Sequence, residues 1–125
     1  MPALEPLPGM RVVAAPAALD AARWHGRGEV TVLRLAPDDA FAIGATGVDV
    51  SDEHAIVESE PGFAGAWMPV VALAHHVEWP LPAERPILAQ GAVANVPARV
   101  WLPGGDDVLL VTAAAHAHEL ESRLR

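Results

Sequence analysis

The chain has no lysine, no cysteine and no tyrosine, and it contains only three serines and three threonines. The missing residues exclude a Schiff-base amine, a phosphate-loop ammonium group and a thiolate nucleophile. None of the serines lies in a G-x-S-x-G setting, which is the typical surrounding of a hydrolase nucleophile. The sequence therefore favours a non-catalytic protein, and we expect no cofactor bound by this chain alone.

Positive charge is also scarce, since eight arginines face 16 acidic residues and the net charge is −8. This balance opposes binding to phosphate backbones and to anionic lipid surfaces, so we expect neither a nucleic-acid nor a membrane partner. No run of about 20 apolar residues is present, and the first residues lack a basic segment followed by an apolar one. These features predict a cytoplasmic protein.

The length of 125 residues predicts a single domain with one core. Residues 1–9 carry three prolines and a glycine, which predicts an extended or disordered lead-in before a domain over 10–125.

Two hairpins are predicted in the first half of the chain. Residues 30–35 and 40–44 are rich in β-formers and flank a Pro-Asp-Asp turn. A second hairpin is predicted from 55–58 and 63–68, because Pro-Gly between them is a turn signal.

The last third of the chain predicts a hairpin of 98–102 and 107–111 across a Pro-Gly-Gly-Asp turn, followed by a helix capped by Thr112. A helix is also predicted over 69–77 from apolar residues at i, i+3, i+4 and i+7. A helix from about Pro86 to Ala94, capped by Asn95, is one interpretation of the next segment. An extended segment over Gln90–Val96 is the alternative, because Gly91 disfavours a helix. The fold class expected is α+β, a two-layer sandwich of a mainly antiparallel sheet, built of hairpins, with helices on one face.

Six histidines suggest a metal site, because neutral imidazole is the commonest transition-metal ligand. The candidate ligands are His75, His76, His116 and His118. On a helix neither pair converges as an H-x-x-x-H pair would, so a site requires tertiary packing to bring the pairs together.

Carboxylates concentrate between residues 38 and 60, where a pocket for a small molecule would draw on Asp49, Asp52, His54 and Glu58. Paired acids can exchange protons with a substrate when burial raises one pKa, and they can also hold a hard cation. The spacing of a calcium loop is absent, and acidic turns of this kind are commonly solvated.

Tryptophan and arginine supply the candidate contact residues. Trp101 and Arg99 alternate with the apolar positions of their strand, so they lie on its other face. Trp79 lies in a proline-flanked segment and is a further candidate. We predict a protein interface at Trp79, Trp101 and Arg99, where the arginine can offer a carboxylate a bidentate fork.

Two segments resemble a known family. Residues 33–43, LRLAPDDAFAI, resemble a strand–turn–strand of the sarcosine oxidase gamma subunit and of the related glycine-cleavage T-protein fold. Residues 95–102, NVPARVWL, with 107–111 and the closing helix, are similar to the final hairpin and helix of that gamma subunit. The resemblance implies an accessory subunit that packs against flavin- and folate-binding subunits of a heteromeric amine oxidase.

Three functions therefore stay open at the level of sequence. The first is a non-catalytic accessory or interaction subunit with a protein partner or a second copy of itself. The second is a small-molecule, folate-type binding domain. The third is a metal-dependent enzyme that uses the histidines.

Overall fold

The computed structural model describes residues 3–125, which form nine strands and three short helices. Contacts divide the chain into two compact units, Leu7–Pro61 on the one hand and 3–6 with Gly62–Arg125 on the other. The predicted division into a lead-in and a single domain, 1–9 and 10–125, remains a prediction. No helix within residues 3–125 is both long and apolar enough to cross a bilayer.

The elements of the first unit are β2 (Gly9–Val13), α1 (Pro16–Asp20), β3 (Arg23–Ala36), β4 (Asp39–Asp49) and β5 (Ile56–Glu60). Those of the second unit are β1 (Glu5–Pro6), β6 (Phe63–Pro69), α2 (Val70–Ala74), β7 (Ile87–Val93), β8 (Val96–Leu102), β9 (Asp107–Ala113), a 3-10 turn (Ala114–His116) and α3 (Ala117–Arg123).

The Leu7–Pro61 unit is an antiparallel four-stranded sheet in the order β3-β4-β2-β5. Pro16 opens α1, where its fixed φ suits the first helical turn. Leu19 of this helix is buried in a cluster with Val12 and Ala40 of the sheet. The hairpin predicted at 30–35 and 40–44 is confirmed, and its two strands are much longer than predicted.

The second unit is an antiparallel five-stranded sheet in the order β1-β6-β9-β8-β7. Every second residue of β8, from Val96 to Leu102, joins a core that also contains Leu73 of α2 and Leu120 of α3. Both helices therefore cover the same face of the sheet. The α+β class with mainly antiparallel sheets is confirmed.

The hairpin predicted from 55–58 and 63–68 is wrong. The strand β5 pairs with β2, whereas β6 pairs with β1 and β9 in the other sheet. Pro61 and Gly62 lie between β5 and β6, where the chain passes from one unit to the other.

Residues 87–93 are extended and form β7, so the extended interpretation is confirmed for 90–93 and the helix interpretation of 86–94 is wrong. Ala94 and Asn95 both have positive φ, at 49° and 64°, and they form the two-residue loop between β7 and β8. A loop of this kind needs two left-handed residues, and asparagine tolerates that conformation well. The signal interpreted as a helix cap was therefore a hairpin turn.

Two helix boundaries also differ from the prediction. Thr112 does not cap a helix, because it lies in β9 and its buried hydroxyl donates to the carbonyl of Pro97 at 2.9 Å. The helix predicted over 69–77 is one turn, Val70–Ala74.

Candidate functional site

The four residues predicted to form a small-molecule pocket lie in the Leu7–Pro61 unit and do not converge. Asp49 ends β4, where its Oδ2 lies 2.9 Å from Nε2 of His25 at the surface. His54 is exposed, with its ring nitrogen 3.4 Å from Glu53, and Glu58 is exposed on β5. The geometry gives a pocket at these positions no support.

Asp52 has a structural role instead. Its carboxylate accepts hydrogen bonds from the backbone N–H of Ala15, at 2.8 Å, and from that of His54, at 2.9 Å. These two bonds, that of Ala15 foremost, lower the pKa of Asp52 because they favour its ionised form. Ala15 precedes the first residue of α1, so Asp52 ties the loop before β5 to the start of that helix.

The lowered pKa of Asp52 predicts a pH-dependent stability. The unfolded chain protonates this carboxyl at a higher pH than the folded chain does, so the stabilisation is complete above the unfolded pKa and is lost as the pH falls through the folded one. We expect Asp52→Asn to be less stable than the wild type near neutrality and to lose less stability on acidification. Urea unfolding at a series of acidic pH values measures both effects.

Glu58→Gln is the matched control for this measurement, because it removes the same charge from an exposed position on β5. The free energy of unfolding of Glu58→Gln should fall with decreasing pH as steeply as that of the wild type. Equal slopes in Asp52→Asn and the wild type would contradict the assignment.

The strongest polar arrangement in this unit was missed at the level of sequence. Arg11 of β2 forms a bidentate pair with Asp39, with Nε–Oδ1 at 2.6 Å and Nη2–Oδ2 at 2.7 Å. Its Nη1 also donates to Glu60 at 3.0 Å. The hydrogen bond to Asp39 raises the pKa of the Arg11 guanidinium above its usual value, so this half-buried charge is permanent.

A cavity of about 420 Å³ lies in the same unit, bordered by the start of β2, by Gly44–Thr46 and by 59–61. Its polar side chains are Thr46, Ser59 and Glu60, and Glu60 is already paired with Arg11. None of the four predicted pocket residues borders it.

The histidines predicted as metal ligands lie in the second unit. His75 and His76 follow α2 and border a cleft of about 290 Å³ together with Glu78 and Asn95. His116 borders a different cavity, and His118 is exposed on α3. Within residues 3–125 no three His, Cys, Asp or Glu side chains come together as a metal site requires.

Trp79, predicted at an interface, is engaged within the chain. Its indole N–H donates to the carbonyl of Ala92 at 2.8 Å. Its ring lies on Gly91 so closely that a Cβ at that glycine would be 2.6 Å from the ring. This tryptophan therefore covers strand β7, and Gly91 is the residue that allows it to do so.

Trp101 lies on the sheet face opposite the two helices, as its alternation with the core residues predicts. In register it neighbours Leu88 on one side and Leu109 on the other, and Leu109 neighbours Trp67. Trp101 and Leu88 are half-buried and Leu109 is buried, while 49% of Trp67 is exposed. The row Leu88, Trp101, Leu109 and Trp67, here called the tryptophan row, is the apolar strip of this face.

Arg99 lies two residues before Trp101 on the same face of β8, opposite Gln90 of β7 and Val111 of β9. It borders a cavity of about 360 Å³ that also contains Phe63, Thr112 and His116. The three predicted interface residues thus have three different environments.

Comparison with known proteins gives one informative likeness. The fold resembles one chain of heterotetrameric sarcosine oxidase. That structure, from Corynebacterium sp. U-96 in complex with pyrrole 2-carboxylate, matches with a TM-score of 0.70 over 97% of this chain and 79% of that one. Sequence identity is 13%, so the likeness is one of fold. It agrees with the resemblance noted in residues 33–43 and 95–111.

No family model matches the sequence. No curated protein matches it either.

Proposed function

We propose that this chain is a non-catalytic accessory subunit of a heteromeric amine oxidase of the sarcosine oxidase type. The observation that carries the proposal is the fold, which follows one chain of a heterotetrameric oxidase over almost the whole length of this protein. Fold alone does not transfer an activity, so the proposed role rests also on the residues of this chain.

The side chains agree with an accessory role. The acids Asp49 and Asp52 are engaged in surface hydrogen bonds and Glu58 is exposed, and none of them borders the cavity of about 420 Å³ in their unit. General acid–base catalysis requires such groups to be held together at a reacting atom. The predicted folate-type site and the predicted histidine metal site thus gain no support from the geometry.

The tryptophan row is the proposed contact surface. A half-exposed tryptophan is unusual on a free surface, and aromatic residues are enriched at the centres of protein interfaces. Trp67 and Trp101 lie on a sheet face that carries neither helix of their unit. The proposed occupant is a flavin-binding subunit of the oxidase, and the proposed location of the complex is the cytoplasm.

Affinity purification of the tagged chain from its native host tests the proposal. We expect a second protein to copurify in a fixed stoichiometry, with visible flavin absorbance and with oxidation of sarcosine or another secondary amine. The chain expressed alone should show no such oxidation.

Recovery of the chain as a monomer without flavoprotein would contradict the proposal. Recovery as a homo-oligomer alone would contradict the oxidase assignment as well and would favour the self-association alternative. A matched purification with an unrelated tagged protein controls for adventitious flavoprotein.

A further inference from the structure

Arg99 forms no ion pair with any carboxylate of the described residues, although the protein has acids in excess. Two other arginines are half-buried, and each of them has a carboxylate partner: Arg11 with Asp39 and Glu60, and Arg34 with Asp20. Within residues 3–125, Nε of Arg99 is buried and has no hydrogen-bond partner. A partly desolvated guanidinium without a counter-charge costs free energy, and an anion bound to its accessible nitrogens would offset that cost.

The surroundings of Arg99 explain why the chain does not satisfy it. Its strand neighbours are Gln90 and Val111, and the described residues around its cavity include neither aspartate nor glutamate. Thr112, which also borders the cavity, carries no charge, and its hydroxyl donates to the carbonyl of Pro97 at 2.9 Å. Arg99 therefore borders an open space of about 360 Å³ to which the described residues contribute no carboxylate.

The rest of the cavity is mostly apolar, with Phe63, Ala92, Pro97 and Ala113 among its residues. Its volume falls in the range of small-molecule sites, which commonly combine apolar walls with a few polar groups that orient the ligand. Phosphate or sulfate would gain little from such walls. An organic acid would place its body on the apolar residues and its carboxylate on the guanidinium fork.

We propose that the Arg99 cavity is a binding site for a small organic carboxylate. The guanidinium donates to the carboxylate from its two Nη groups, because the buried Nε has no surface that a ligand could reach. Gln90, which also borders the cavity, offers an amide. This site requires no partner protein, so its test is independent of the test of the proposed subunit role.

Benzoate is the first probe and neutral benzamide its matched control, measured on the full chain by NMR. We expect saturable benzoate binding that shifts the Arg99 Nε–H resonance, with benzamide binding about ten- to hundred-fold more weakly, as befits the loss of a charge-assisted bidentate pair. A benzoate titration without saturation, or equal binding of benzamide, would overturn the proposal.

Arg99→Met separates a ligand site from a structural role. Because an unpaired half-buried charge does not stabilise the fold, we expect this variant to unfold at the same or higher urea concentration than the wild type. Its benzoate affinity should fall about ten- to hundred-fold. Arg99→Lys keeps the charge but not the planar fork, so its benzoate affinity should lie between those of the wild type and Arg99→Met.

Arg27→Gln is the control variant, since Arg27 is an exposed arginine of β3 in the other unit. It should bind benzoate as the wild type does. If Arg99→Met or Arg99→Lys retained full affinity, or if Arg27→Gln lost it equally, benzoate would be responding to overall charge and the site would be refuted.

Discussion

Replacement of Gly9 by alanine is expected to lower the free energy of unfolding of the Leu7–Pro61 unit by about 3 kcal/mol. A Cβ at this position would lie 2.1 Å from the carbonyl oxygen of Ala42 and 2.9 Å from its carbonyl carbon. Both are backbone atoms of the adjacent strand β4, so no side-chain rotation can relieve the clash. Because β2 pairs with β4 on one side and β5 on the other, its displacement would weaken both ladders. Urea unfolding and amide exchange in β2 measure the effect.

Gly28→Ala is the matched control in the same unit. A Cβ at Gly28 meets nothing within 4 Å. We expect its free energy of unfolding to stay within about 0.5 kcal/mol of the wild type, as is usual for surface substitutions. An equal loss in both variants would show that conformational restriction of glycine, and not the contact with Ala42, sets the cost.

Local signals in the sequence predicted the local parts of the fold. The hairpins at 30–44 and 98–111 are confirmed because a turn signal and two strands lie within about 15 residues, and register follows from the turn. Alternation also placed Arg99 and Trp101 on the face away from the core, since side chains change face at every residue of a strand.

Distant pairings could not be predicted in the same way. The partner of β5 is β2, about 45 residues earlier, and the partner of β6 is β9, about as far in the other direction. Pro61-Gly62 is a sound turn signal, but a turn does not determine that its two flanks pair with each other. The sequence pattern contains no information that separates a hairpin from a crossing between two sheets at this point.

The polar sites show the same limit. Arg11 is separated along the chain from Asp39 by 28 residues and from Glu60 by 49. No spacing rule predicts contacts over such distances. An arginine inside the apolar run Met10–Ala15 was the available signal, because a charge in a strand needs a partner. The acids at 49–58, by contrast, were grouped by sequence proximity, and the hairpin β3–β4 and the loop before β5 spread them apart.

Trp67→Ala is expected to weaken the proposed complex of this chain with a flavoprotein by about 2 kcal/mol or more, ~30-fold in Kd, because tryptophans at interface centres commonly contribute this much. Trp67 is 49% exposed and occupies the open end of the tryptophan row. Its exposure means that its removal should affect the isolated chain far less than the complex. Titration of the purified flavoprotein with the two chains measures Kd, and urea unfolding of each chain alone measures stability.

Val71→Ala provides the comparison that makes this result specific. Val71 is more exposed than Trp67, at 71%, but it lies on α2 rather than on the tryptophan row. If any exposed apolar side chain could serve as the contact, both substitutions would raise Kd in proportion to the apolar area that they remove. We expect Val71→Ala to change Kd by less than about two-fold, which is the range of contacts outside an interface centre. A wild-type Kd in Trp67→Ala would exclude the tryptophan row as the contact surface, because no other side chain of that row is as accessible to a partner.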